Sequence, residues 1–108
     1  AYGWPGWGVW GTQGRDVKKV METAGYFDGI YFAAHIHCPS LIAYGLIDET
    51  ARPTGVAAAV NAIKGPKEAI ILPMGNHGLG ANRVIYYRRA GDWKKAILAG
   101  QPLPPPVR

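Results

Sequence analysis

Two side chains in this sequence are placed to do proton chemistry together. Asp48 follows the apolar run Leu41-Ile42-Ala43-Tyr44-Gly45-Leu46-Ile47, and His77 lies shortly after a second run, Glu68-Ala69-Ile70-Ile71-Leu72-Pro73. Adjacent parallel strands lie ~4.8 Å apart, so loops leaving two neighbouring strand ends can bring a carboxylate to an imidazole Nδ1–H. That contact orients the ring as a general base and stabilises its protonated form. A hydroxyl on the far side of the ring completes the chemistry, and the chain order Asp then His fits the last two positions of a Ser, Asp, His series. Taken alone, Asp48 reads as a turn former or helix cap, and His77 as a loop histidine among glycines. Their joint occurrence after consecutive apolar runs, in that order, favours the pair.

Other groups are weaker candidates. Ser40 is the only serine in the chain; it sits at the entrance to the first strand and is expected to be buried. Cys38, just before Pro39, falls at the amino end of the same strand and reads as a small buried hydrophobe. His35-x-His37-Cys38 has metal-like alternation, but with Ile36 and Pro39 interleaved it reads as a turn feeding the strand. Gly6-x-Gly8-x-x-Gly11 matches a dinucleotide fingerprint only formally, having neither a strand before it nor a helix after it. No metal or organic cofactor is implied.

The elements that must position Asp48 and His77 follow from pattern and punctuation. Residues 1–14 form a Gly/Trp-rich irregular segment. Val17, Val20 and Met21, with Lys18 and Lys19 between them, predict a short helix from Arg15 to about Thr23, ended near Gly25. A second helix is predicted over Asp28 to Ile36. After the Leu41–Ile47 strand, Thr54 reads as the N-cap of a helix running to Ile63 and stopped by Gly65-Pro66. The second strand and a Gly-rich loop, residues 75–80, come next. A last helix is predicted from about Arg83 to Leu98, where Tyr86, Tyr87 and Trp93 read as core or interface residues. Residues 101–108 form a stiff Pro-rich tail. Strand, helix, strand implies parallel pairing, and strands apolar on both faces imply cover on both sides. Two such strands leave edges unpaired, which predicts that residues 1–108, with their α/β segment at 15–100, are the C-terminal segment of a single larger α/β domain. An upstream segment or a second chain would then complete it.

The stretch Tyr26-Phe27-Asp28, Phe32-Ala33, Ile36, Cys38-Pro39, Gly45-Leu46-Ile47-Asp48, Pro53, Ala58-Ala59-Val60-Asn61-Ala62-Ile63, Gly65-Pro66-Lys67-Glu68 and Asn76-His77-Gly78 resembles the C-terminal part of the acetyl xylan esterases. More specifically, it is similar to the α/β-hydrolase esterase family that also includes the cephalosporin-C deacetylases, and the likeness covers about residues 22–80. It implies an α/β-hydrolase fold, of which this chain would hold the last two parallel strands with their flanking helices. It also implies Asp48 as triad acid and His77 as triad base, deacetylating acetylated xylo-oligosaccharides or small acetyl esters through a serine acyl-enzyme. The family's Gly-x-Ser-x-Gly elbow is not found in the chain, so the serine is expected upstream or in another chain, and the isolated chain is expected to be inactive. Asn76, Gly78 and Arg52 depart from the family pattern, which bears on substrate preference. Trp4, Trp7 and Trp10 are candidate sugar-stacking residues, with the filling of hydrophobic gaps beneath a loop as the alternative. A secreted or periplasmic location is favoured over a cytoplasmic one.

Composition narrows the remaining classes. The 108 residues are 48% hydrophobic and 18% charged, which suits one ordered domain and not a disordered tail. No apolar run approaches the ~20 residues of a membrane span, and no signal-peptide pattern opens the chain. The net charge of +5 raises nucleic acid as a partner, but the basic residues are scattered. Only Arg83, Arg88, Arg89, Lys94 and Lys95 cluster, and they read as one solvated helical face. No nucleic-acid or membrane partner is expected, and a homo-oligomer is left open. The alternative to an esterase is a non-catalytic, hydrolase-derived module whose strand edge and Trp-rich segment dock onto a partner protein.

Overall fold

Two aspartates start the first two helices. In the computed structural model, which describes residues 14–106, the Asp16 carboxylate accepts from the Lys18 and Lys19 amides at the head of α1 (Val17–Gly25). Asp28 accepts from the Ile30 amide at the head of α2 (Gly29–Ala33). Short oxygen-bearing side chains satisfy amides that have no partner within the helix. The second helix is shorter than its apolar stripe suggests. Asp28 stands outside it as a cap, and beyond Ala33 the chain turns, with His35 and Ile36 amides donating to the carbonyls of Phe32 and Ala33.

Next come β1 (Ser40–Gly45), α3 (Pro53–Ala62), β2 (Lys67–Leu72), a 3-10 turn (Gly80–Asn82) and α4 (Arg83–Leu98). The two strands pair in parallel, from Ser40 opposite Lys67 to Gly45 opposite Leu72. The expected strand–helix–strand unit is therefore present, but both strands begin and end earlier than the apolar runs. Leu46 and Ile47 leave the ladder and are exposed, because the chain must already be turning towards Asp48. Thr54 does not cap α3. Arg52 holds the cap position without a side-chain bond, and Pro53 supplies the first turn; its fixed φ and missing N–H suit that place. Gly55 and Val56 amides complete the turn on the Arg52 carbonyl. At the far end of α3, the Lys67 ammonium donates to the carbonyls of Asn61 and Ile63, closing the helix with a cation where its dipole is negative.

The core is small. Ala33, Tyr44, Val60, Ile63, Leu72 and Trp93 are its buried hydrophobic members among the described residues, drawn from α2, β1, α3, the turn after it, β2 and α4. α2 packs on α3, and α3 on β1. The expectation of strands covered on both faces fails for β2, where exposed and half-buried positions alternate until Leu72. Trp93 is buried as expected of the last helix, whereas Tyr87 is exposed and Tyr86 only half-buried. Arg89 also departs from the sequence reading. It is buried, not part of a solvated basic face, and its guanidinium donates to both carboxylate oxygens of Glu68 and to the carbonyls of Pro104 and Pro105. The start of β2, the middle of α4 and the proline tail are thereby tied together. The fork of a guanidinium suits this task, because it serves a carboxylate and further acceptors in one plane.

Candidate active site

The site lies at the carboxyl ends of β1 and β2. After Gly45 the first strand runs on through Leu46, whose amide still donates to the Leu72 carbonyl, and then bends at Asp48. The Asp48 side chain closes that bend on itself: Oδ1 accepts from the amides of Thr50 and Ala51 at 2.8 and 2.9 Å. This is the aspartate turn, in which the carboxylate takes the place of a backbone acceptor. It leaves Oδ2 free to face the second loop. There, Pro73 and Met74 lead into Gly75, whose amide donates to the Leu72 carbonyl, and His77 follows. The His77 Nδ1–H donates to Asp48 Oδ2 at 3.0 Å. Beyond it, the Asn76 side chain accepts from the Gly78 amide, and Leu79 adopts a left-handed φ of 61°, an arrangement that costs a non-glycine residue about 1–2 kcal/mol. Strain of this kind survives where the surrounding chain dictates the path.

The two partners sit in different surroundings. Asp48 is buried, at 7% exposure, while the His77 side chain is 64% exposed. Burial by itself raises the Asp48 pKa, but the Ala51 amide, the His77 ring and the Thr50 amide together outweigh it and hold the carboxyl below its ordinary value of 3.8. Asp48 is therefore an ionised acceptor at neutral pH. With the Nδ1–H engaged, the neutral ring presents Nε2 as a lone-pair acceptor on its far side, and among the described residues Nε2 makes no hydrogen bond. An oriented imidazole backed by a buried carboxylate can take a proton from a hydroxyl and return it to a leaving group.

The other candidates are not part of this cluster. Ser40 begins β1, at the opposite end of the strand from the Asp48 bend; by strand rise it is roughly 16 Å from Gly45, where the strand ends. It is half-buried, not buried, and its hydroxyl donates to the Cys38 carbonyl. Cys38 is exposed and free, contrary to the expectation of a buried hydrophobe, because it precedes the ladder instead of packing within it. His35 and His37 are exposed, and the His35 ring bonds to the Tyr31 carbonyl. No metal-ligating cluster forms among the described residues. Trp4, Trp7 and Trp10 lie outside the described residues. The amides of Thr50 and Ala51 were not singled out from sequence; Asp48-Glu49-Thr50 just after a strand was the signal that could have found them.

Comparison with known proteins places the chain in a family. Residues 9–94 match the acetyl xylan esterase (AXE1) family. The chain belongs to that family. Within it, 57 residues, 53% of the chain, are 37% identical to the acetyl esterase Axe7A of Xylanibacter ruminicola. That matched stretch is 13% of the relative's length, so this chain corresponds to a small part of such an esterase. The small α/β unit with two parallel strands agrees with part of the α/β-hydrolase fold expected for an acetyl xylan esterase.

Proposed function

We propose that this chain supplies the acid and the base of a Ser-His-Asp triad in a carbohydrate esterase that removes acetyl groups from xylo-oligosaccharides and related small esters. The carrying observation is the 3.0 Å contact between His77 and a buried, amide-held Asp48; family membership supplies the reaction class. In this reading His77 Nε2 removes the proton of a serine hydroxyl as its oxygen attacks the acetyl carbonyl. The same proton then passes to the sugar oxygen as the ester bond breaks. Water, deprotonated by the same ring, releases acetate and restores the serine. Asp48 stays ionised throughout and holds the ring.

The serine must come from elsewhere, since Ser40 is on the wrong end of β1. The sheet supports the same view. Its two strands pair only with each other among the described residues, and Tyr26 and Phe27 after α1 and Tyr31 and Phe32 in α2 are exposed. We infer that further strands and the oxyanion donors lie in an upstream segment or a second chain. In the complete enzyme, His77→Ala is expected to lower turnover of a chromogenic acetate ester by about 10⁶-fold, with the fold retained. Unchanged turnover would remove His77 from the mechanism. The exposed apolar surface also suits a non-catalytic docking module, which predicts no ester turnover by any assembly containing the chain and no effect of His77→Ala on partner binding.

A further inference from the structure

The Asp48–His77 contact joins two loops whose Leu46, Ile47, Pro73 and Met74 are exposed, and the backbones of the two segments meet at two glycines. Gly45 is the last residue of β1 and Gly75 stands two residues before His77. A Cβ on Gly45 would run into the Gly75 carbonyl, and a Cβ on Gly75 would come within 2.9 Å of Leu72 Cβ and 3.0 Å of the Gly45 Cα. Both glycines are buried. Through this side-chain-free approach the Ile47 amide, next to Asp48, donates to the Gly75 carbonyl at 3.1 Å. The parallel ladder ends at Gly45 and Leu72. Past that point the Ile47–Gly75 bond is the backbone link nearest the site, one residue from the acid and two from the base.

We infer that Gly45 and Gly75 are positioning residues that set the Asp48–His77 distance, a role that rests on the reading of that pair as triad acid and base. A Cβ at Gly45 would drive the Gly75 backbone away, and one at Gly75 would press on both the Gly45 Cα and Leu72 of its own strand. Displacements of about 1 Å at a reacting group can cost on the order of 100-fold in rate.

Three measurements on the complete enzyme test this. With Asp48 accepting from Nδ1, neutral His77 holds its proton on Nδ1; ¹⁵N spectra of labelled histidine report that tautomer directly. Gly75→Ala is expected to shift His77 towards the Nε2–H form and to lower kcat by about 10–100-fold with KM within about twofold. Gly78→Ala, where a Cβ would meet nothing closer than the Asn76 side chain at 3.6 Å, is expected to leave tautomer and kcat as they are. A folded Gly75→Ala protein that keeps the Nδ1–H form and full kcat overturns the positioning role. Should both Gly45→Ala and Gly75→Ala fail to fold, hydrogen exchange of the unaltered protein decides. A protected Ile47 amide supports the link, and one that exchanges like an open loop overturns it. The catalytic reading fails separately, if His77→Ala retains turnover whatever the tautomer data show.

Discussion

Asp48 carries two tasks with its two oxygens, and they can be separated by substitution. Asparagine keeps one carbonyl oxygen for the Thr50 and Ala51 amides but removes the charge opposite His77. Asp48→Asn is therefore expected to stay folded while losing about 10⁴-fold in turnover. Asp48→Ala also strips the acceptor from two amides, a loss of about 1–3 kcal/mol for each one left buried without a partner, so its melting temperature should fall below that of Asp48→Asn. The pH dependence carries a definite sign. Folding lowers the Asp48 pKa below 3.8, so near that value the folded state binds fewer protons than the unfolded chain. The stabilisation is complete above the unfolded value and is lost as pH falls through the lower folded one. Unfolding titrations should show wild type losing its advantage over Asp48→Asn as the pH drops below 3.8, and an advantage that persists in acid would contradict the buried, ionised carboxylate.

At the scale of elements, α4 is held by one aromatic and one cation. Trp93 is buried, yet its indole N–H has no acceptor among the described residues. Phenylalanine keeps most of the apolar contact and removes the orphan donor. Trp93→Phe is expected to change unfolding free energy by less than about 1.5 kcal/mol, against about 3–5 kcal/mol for Trp93→Ala; equal losses would mean the N–H is bonded after all. Arg89 fastens the tail. Its pKa is raised, first by the hydrogen bonds to Glu68, so the ion pair holds throughout the neutral range. Arg89→Ala should expose the backbone around Pro104 to rapid cleavage by proteases and lower the melting temperature. Lysine, lacking the fork, should recover only part of this. A tail equally resistant in Arg89→Ala would show that the prolines hold themselves in place.

At the largest scale, the decisive feature is how little of residues 14–106 is shut away from water. No side chain of the described residues falls below 2% exposure. Ile71, Val84 and Ile85 stand open in a groove between β2 and α4. Exposed apolar surface on this scale marks a face made for contact, and a two-stranded sheet is marginal on its own. The chain by itself is accordingly expected to show no turnover of a chromogenic acetate ester, and to regain it only with the segment that carries the serine. Turnover by the chain alone would sink the divided-triad reading.

Much of this protein was legible as a string of residues. Apolar runs closed by Asp48 and by the Gly-rich loop around His77 placed two strands and the helix between them, since hydrophobic pattern and glycine or proline punctuation act locally and leave their mark in sequence. The α4 span was legible for the same reason. What the string did not hold were contacts that arise only when distant segments meet. Arg89 looked like one more surface cation until Glu68 and the tail closed on it. Cys38 looked like a core residue until the ladder was found to start two residues later. The Asp48–His77 distance belongs to this second kind. Residue types and order proposed the meeting, but a 3.0 Å contact depends on strand register and on the close passage of two backbones, which no local pattern specifies.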